Sequence, residues 1–192
     1  EHGVNSPEAF AAMKRLDARV GRIVAAVKKA GLLDETVFCV VSDHGQQDAP
    51  DGIPLDAWLR KACGARAQSL GMGAYIFGED LAAARQALEE NQRKWRIGRI
   101  YTPEDLRAMH APGDVQLAVD AAPGACFIDD ETITHGEHGF GLDCPEAQVF
   151  FLLAGPGVPA PAELPSMRLI DIAPTVARLL GVSLPGAQGR AL

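Results

Sequence analysis

Near the start of the chain, apolar residues recur every three or four positions: Phe10, Met13, Leu16, Val20, Ile23, Val24 and Val27. That spacing predicts an amphipathic helix. Ser6-Pro7-Glu8 supplies its start, with a hydroxyl at the N-cap, proline at the first helical position and an acid in the first turn. Lys28, Lys29 and Gly31 supply its end. The period then changes. Residues 36–42 (TVFCVVS) form a short β-branched apolar run, which reads as a strand buried on both faces. A helix followed by a buried strand is half of a βαβ unit, so the expected fold class is α/β, a mostly parallel sheet flanked by helices.

Residues 65–128 follow a different rhythm. Residues 73–78 (GAYIFG) predict a strand, 79–94 an Ala-rich helix, 97–101 a strand and 103–110 a short helix. Residues 115–119 and 125–128 read as a strand pair around Pro123-Gly124. Short mixed elements of this kind suggest a small inserted α+β subdomain within one domain spanning residues 1–192. The buried-strand pattern resumes at residues 148–154 (QVFFLLA), which run into the turn Gly155-Pro156-Gly157. An amphipathic helix over about 169–180 then ends at Gly181.

Composition narrows the function classes. A chain of 192 residues, 47% apolar and 22% charged, has the makeup of an ordered globular domain. Its net charge of −7, with no Lys/Arg cluster, excludes the basic footprint that grips a nucleic-acid backbone. Apolar runs such as 149–154 fall far short of the roughly 20 residues that a membrane-spanning helix needs. Glu1-His2-Gly3 opens without a basic or apolar leader region, so the reading leans towards the cytoplasm. Cys39, Cys63, Cys126 and Cys144 are widely spaced, with no C-x-x-C pair. Cys39 and Cys126 have apolar neighbours and are expected in the core; Cys144, beside Pro145, is the thiol to test for reactivity.

The candidate chemistry lies in histidines followed by glycine. Ser42-Asp43-His44 is no serine-hydrolase triad, because adjacent residues at a strand end diverge, and no G-x-S-x-G elbow occurs. A metal site fits better: Asp43 and His44 end a strand, and histidines on a second loop could meet them with the N/O ligands that zinc accepts. A hydrogen-bonded turn is the alternative at Asp43-His44. Glycine after each histidine permits a tight turn. Either His135 or His138 could be the second-loop ligand. His110 reads as a surface residue. Asp48, Asp51 and the run Asp129-Asp130-Glu131 read as solvated acids.

These motifs resemble a known family. Val41-Ser42-Asp43-His44-Gly45, and Gly136-Glu137-His138-Gly139-Phe140 leading into residues 148–157 (QVFFLLAGPG), are similar to the alkaline phosphatase superfamily, in its type I phosphodiesterase/nucleotide pyrophosphatase branch. Ile170-Asp171-Ile172-Ala173-Pro174-Thr175, followed by Leu179-Leu180-Gly181, is similar to its closing helix. Glu1-His2-Gly3 with Ser6-Pro7 looks like the end of a third motif, an Asp four residues before a His-Gly. The resemblance implies an alkaline-phosphatase-like fold and hydrolysis of a small phosphoester substrate with two divalent ions, Zn2+ by expectation. Asp43 and His44 would bind the ion that also holds a Thr or Ser nucleophile, and His2 and His138 the other. The nucleophile and the remaining Asp ligands are expected before Glu1, which makes the N-terminal half of the enzyme the implied partner and the chain inactive alone. Other esters (phosphomonoester, phosphonate, sulfate), a mutase, or a non-catalytic binding domain are the alternatives.

Overall fold

A computed structural model gives the fold for residues 2–129, 135–139, 141, 144–158 and 166–192. In chain order the first elements are helix α1 (Pro7–Lys29), strands β1 (Phe38–Val41), β2 (Gln47–Asp48) and β3 (Asp51–Ile53), helix α2 (Leu55–Cys63), and strands β4 (Arg66–Ser69) and β5 (Gly73–Phe77). Helix α3 (Leu81–Glu90), strand β6 (Ile97–Tyr101), helix α4 (Pro103–Ala108), and strands β7 (Ala118–Ala121), β8 (Ala125–Phe127), β9 (Gly136–Glu137) and β10 (Phe151–Ala154) follow, before helix α5 (Ile172–Leu179). Two compact units divide the chain: Glu1–Asp17 with His44–Gln148, and Ala18–Asp43 with Val149–Leu192.

The first unit is built on an antiparallel sheet in the order β4-β5-β7-β6. Strand alternation sorts its side chains onto two faces. Ala74, Ile76, Val119 and Ala121 face one way, where they pack with Leu55 and Leu59 of α2 and Ala84 and Leu88 of α3 in the main core. Tyr75, Phe77, Ala118 and Tyr101 face the other way, against Leu106 of α4. Asp80 caps α3 by accepting the Ala83 amide at 2.9 Å, and Thr102 with Asp105 closes a capping box on α4. Beside this sheet, β3 runs parallel to β8, and β2 antiparallel to β9.

In the second unit, among the described residues, β1 pairs only with β10, antiparallel, with Phe38 opposite Ala154 and Val41 opposite Phe151. An open groove of about 660 Å³ runs along one face of this pair, lined by Val20, Val24, Phe38, Val40, Leu152 and Ala154. The end of this unit is fastened by Asp171, whose carboxylate accepts the backbone amides of Arg168 and Arg190 at 2.9 Å each.

Several sequence expectations are corrected by this structure. The mostly parallel sheet does not form; among the described residues only β3–β8 is parallel, and the sheets are small. The connection at residues 70–72 is short enough only to reverse the chain, which makes β4 and β5 antiparallel. Residues 36–42 are not buried on both faces: Cys39 and Val41 are exposed, with β10 as the one neighbouring strand among the described residues, so Cys39 is not a core thiol. Cys126 is buried as expected. β7 and β8 do not pair with each other; β7 lies between β5 and β6, and β8 pairs with β3. Asp130 and Glu131 of the acidic run lie outside the described residues, and Asp129 is exposed.

Candidate metal centre

Asp43 lies two residues beyond the end of β1 in the second unit, and is exposed. His44 opens the first unit's main segment and leads directly into β2. Its Nδ1 lies 2.8 Å from the carbonyl oxygen of Gly45. A carbonyl can only accept, so Nδ1 is the donor in this contact. Gly45 is required at that point, because a Cβ there would collide with the Glu146 carbonyl.

Pairing of β2 with β9 brings the second loop alongside: Gln47 stands opposite Glu137 and Asp48 opposite Gly136. His138 follows this short ladder, and its ring stacks on that of His44 with centroids 3.9 Å apart and planes 17° apart. Gly139, at φ +86, turns the backbone away immediately afterwards; a side chain there would strike the Leu70 carbonyl. His135 contributes its carbonyl oxygen, which accepts the Ala49 amide at 3.0 Å.

The amino-terminal segment joins the same place. The Val4 amide donates to Asp48 Oδ1 at 2.7 Å, and the His2 carbonyl lies against Gly136. Asp48 is therefore not merely a solvated acid, as its loop position suggested; it fastens the His2 segment beside β2. Asp51 forms an exposed ion pair with Arg96 at 3.2 Å. His110 is exposed just beyond α4, as expected. Cys144 donates its thiol hydrogen to Glu146 at 2.8 Å, and burial, followed by that carboxylate, pushes its pKa up. A thiol held protonated is a poor nucleophile, which argues against the reactivity considered for it.

A hollow of about 190 Å³ opens in the first unit, lined by Gln47, Met72, Arg99, Tyr101, Asp120 and Cys144. Two of these groups, Tyr101 and Asp120, carried no signal in the sequence; only the strand register brings them together.

Residues 1–140 match the type I phosphodiesterase / nucleotide pyrophosphatase family. The chain belongs to this family. Its fold is similar to human ectonucleotide pyrophosphatase / phosphodiesterase 5, with a TM-score of 0.80 at 20% identity over 96% of the chain. The murine protein gives a TM-score of 0.81 at 20% identity, and an inactive variant of it in complex with AMP gives 0.75 at 19%. In each case the chain covers 51% of the solved protein, so it spans about half the length of these relatives. No curated protein is similar enough in sequence to count as a match.

Among the described residues, no group of three or more His, Cys, Asp or Glu side chains converges to hold one ion. The donor set nevertheless suits metal binding. Imidazole lone pairs lie in the ring plane, so two nearly parallel rings 3.9 Å apart cannot aim both at one ion at bonding distance. If both rings bind metal, they would therefore belong to different ions.

Proposed function

We propose that this chain is the metal-binding portion of a two-metal hydrolase of phosphodiester or nucleotide pyrophosphate bonds. Asp43 and His44 serve one ion, His138 and His2 the other, and a Thr or Ser nucleophile is supplied by a segment preceding residue 1. The observation that carries this reading is the His44–His138 stack, held by the β2–β9 ladder. Family membership supports the reaction class, and AMP bound to the murine relative supports a nucleotide-like substrate.

Bound there, a pair of zinc ions would stabilise the attacking and leaving oxygens of an in-line displacement. The chain's own residues prepare that chemistry. His44 keeps its proton on Nδ1 against the Gly45 carbonyl, which fixes ring orientation and presents Nε2. Asp43 adds a carboxylate from the adjacent position, and a negative ligand offsets ionic charge where neutral imidazole does not. His138 is favoured over His135 as the second-loop ligand because its ring stacks on His44, whereas the His135 carbonyl ties to Ala49.

The test is hydrolysis of bis(4-nitrophenyl) phosphate, with added zinc, by residues 1–192 joined to their preceding segment. Changing residues that merely orient a ligand lowers affinity or activity by about 10–100-fold. Asp43→Ala, His44→Ala and His138→Ala should each exceed that loss, while His135→Ala should not. Wild-type rates in the first three variants would overturn the assignment. A folded, zinc-loaded and inactive protein would favour a non-catalytic binding domain instead.

A further inference from the structure

The polar pair Tyr101–Asp120 belongs to neither the main core nor the candidate ligands. A bulge in β6 between Ile97 and Arg99 shifts the side-chain alternation by one residue. Ile97 and Ile100 therefore both face the α2–α3 core, and Tyr101 turns to the opposite face. Across the ladder Arg99 stands opposite Asp120, and Tyr101 opposite Ala118. Asp120 is thus the diagonal neighbour of Tyr101, within reach of a long aromatic side chain. The Tyr101 hydroxyl donates to Asp120 Oδ2, and the ring, only 3% exposed, lies 4.6 Å beneath the Arg99 guanidinium.

What lies against this pair is Gly141, three residues beyond His138. A Cβ at Gly141 would meet both Asp120 Oδ2 and the Tyr101 hydroxyl oxygen at 2.6 Å. On the near side, the Met72 amide donates to the His138 carbonyl at 2.8 Å, and the Gly139 carbonyl lies against Gly73. The sheet therefore seats His138 from both directions along the chain: the turn before β5 from one side, Tyr101–Asp120 from the other. A charge-assisted phenol–carboxylate bond is short and directional, which makes it a firm seat for backbone.

We propose that Tyr101 and Asp120 are positioning residues for His138, holding its imidazole parallel to His44. Their bearing on catalysis rests on the metal reading above; their effect on the ring stack does not. Loss of the phenol hydroxyl should let the Gly141 backbone settle elsewhere, and the imidazole should leave the stack.

The experiment uses the full 192-residue chain without metal. The ring C–H proton signals of His44 and His138 are followed by NMR, assigned from His44→Gln and His138→Gln. Stacked rings shift each other's protons upfield. Tyr101→Phe and Asp120→Ala should abolish that shift, whereas Asp120→Asn, whose amide oxygen still accepts, should keep it. Fluorescence of Trp58 and Trp95, tilted together at 5.8 Å in the core on the other face of the sheet, reports whether the sheet is intact. Should Asp120→Ala lose that signature, Gly141→Ala decides, because it adds a methyl without removing either partner. Unchanged histidine signals in both Tyr101→Phe and Gly141→Ala, with wild-type fluorescence, would overturn the proposal. The positioning role stands or falls on these metal-free spectra, while the metal reading is tested separately by the zinc-dependent turnover of the joined protein.

Discussion

Asp171 shows how one carboxylate can organise a terminus. It is 1% exposed, accepts the Arg168 and Arg190 amides, and lies 3.4 Å from the Arg168 guanidinium. Those backbone hydrogen bonds, helped by the Arg168 charge, hold its pKa below the ordinary value. A depressed folded-state pKa means that the stabilisation is complete above the unfolded value, about 3.9, and is lost as pH falls through the folded one. The Arg190 amide should therefore exchange slowly with solvent deuterium at neutral pH and lose protection on acidification below pH 4. Asp171→Ala should remove that protection at neutral pH; equal protection in wild type and variant would show that Asp171 is not the fastening. The sequence placed Asp171 within the closing-helix motif, but gave no sign of its partners. Arg190 lies nineteen positions further on, and only the return of the chain over residues 189–192 brings it near. Cys39 was misplaced for a related reason: apolar neighbours say what a residue prefers, not whether a second layer covers it.

Elements were most legible where periodicity was long or caps were explicit. Helix α1 begins and ends where Ser6-Pro7 and Lys28-Lys29 put it, and β6 spans the expected residues. Helix α2 and the short strands β2, β3 and β4 were missed, since two- to four-residue strands carry too few positions to show a period. Strand direction was misjudged because alternating helices and strands imply a parallel sheet only when each helix carries the chain back to the same edge. The candidate site was legible as His-Gly dipeptides, while the ladder that aligns two of them was not. That ladder has a further dependency at Asp48, which pairs opposite Gly136 and accepts the Val4 amide. Asp48→Ala should release the segment carrying His2 while sparing the four-stranded sheet. Faster deuterium exchange at Val4, with unchanged tryptophan fluorescence, is the expected result; unchanged exchange at Val4 would show that Asp48 does not hold this segment.

Across the whole molecule, the feature that most constrains function is the amount of apolar surface left open. Helix α1 buries none of its residues, and Phe10, Met13, Leu16 and Ile23 are each more than half exposed. Phe150 and Leu152 are also more than half exposed, and β1–β10 stands as a two-stranded sheet. Exposed apolar faces of this extent mark interaction surfaces; in the proposed division of labour a further segment of the enzyme covers them, and the solved relatives are about twice as long as this chain. The proposed division of labour then fixes the behaviour of residues 1–192 alone. Each ion would have two protein ligands here, where catalytic zinc sites usually have at least three. In that division Asp43 and His44 are taken up as ligands, so neither is free to act as the nucleophile that becomes phosphorylated. Groups that act as a unit lose activity non-additively, so half a site is expected to retain nearly none of the rate. The chain alone should bind zinc weakly, bind a dye such as anilinonaphthalene sulfonate at its open apolar faces, and show no turnover of bis(4-nitrophenyl) phosphate. Joined to the preceding segment, it should lose dye binding and gain zinc-dependent turnover together. Turnover by residues 1–192 alone, abolished by Asp43→Ala, would place the nucleophile within this chain and overturn the division.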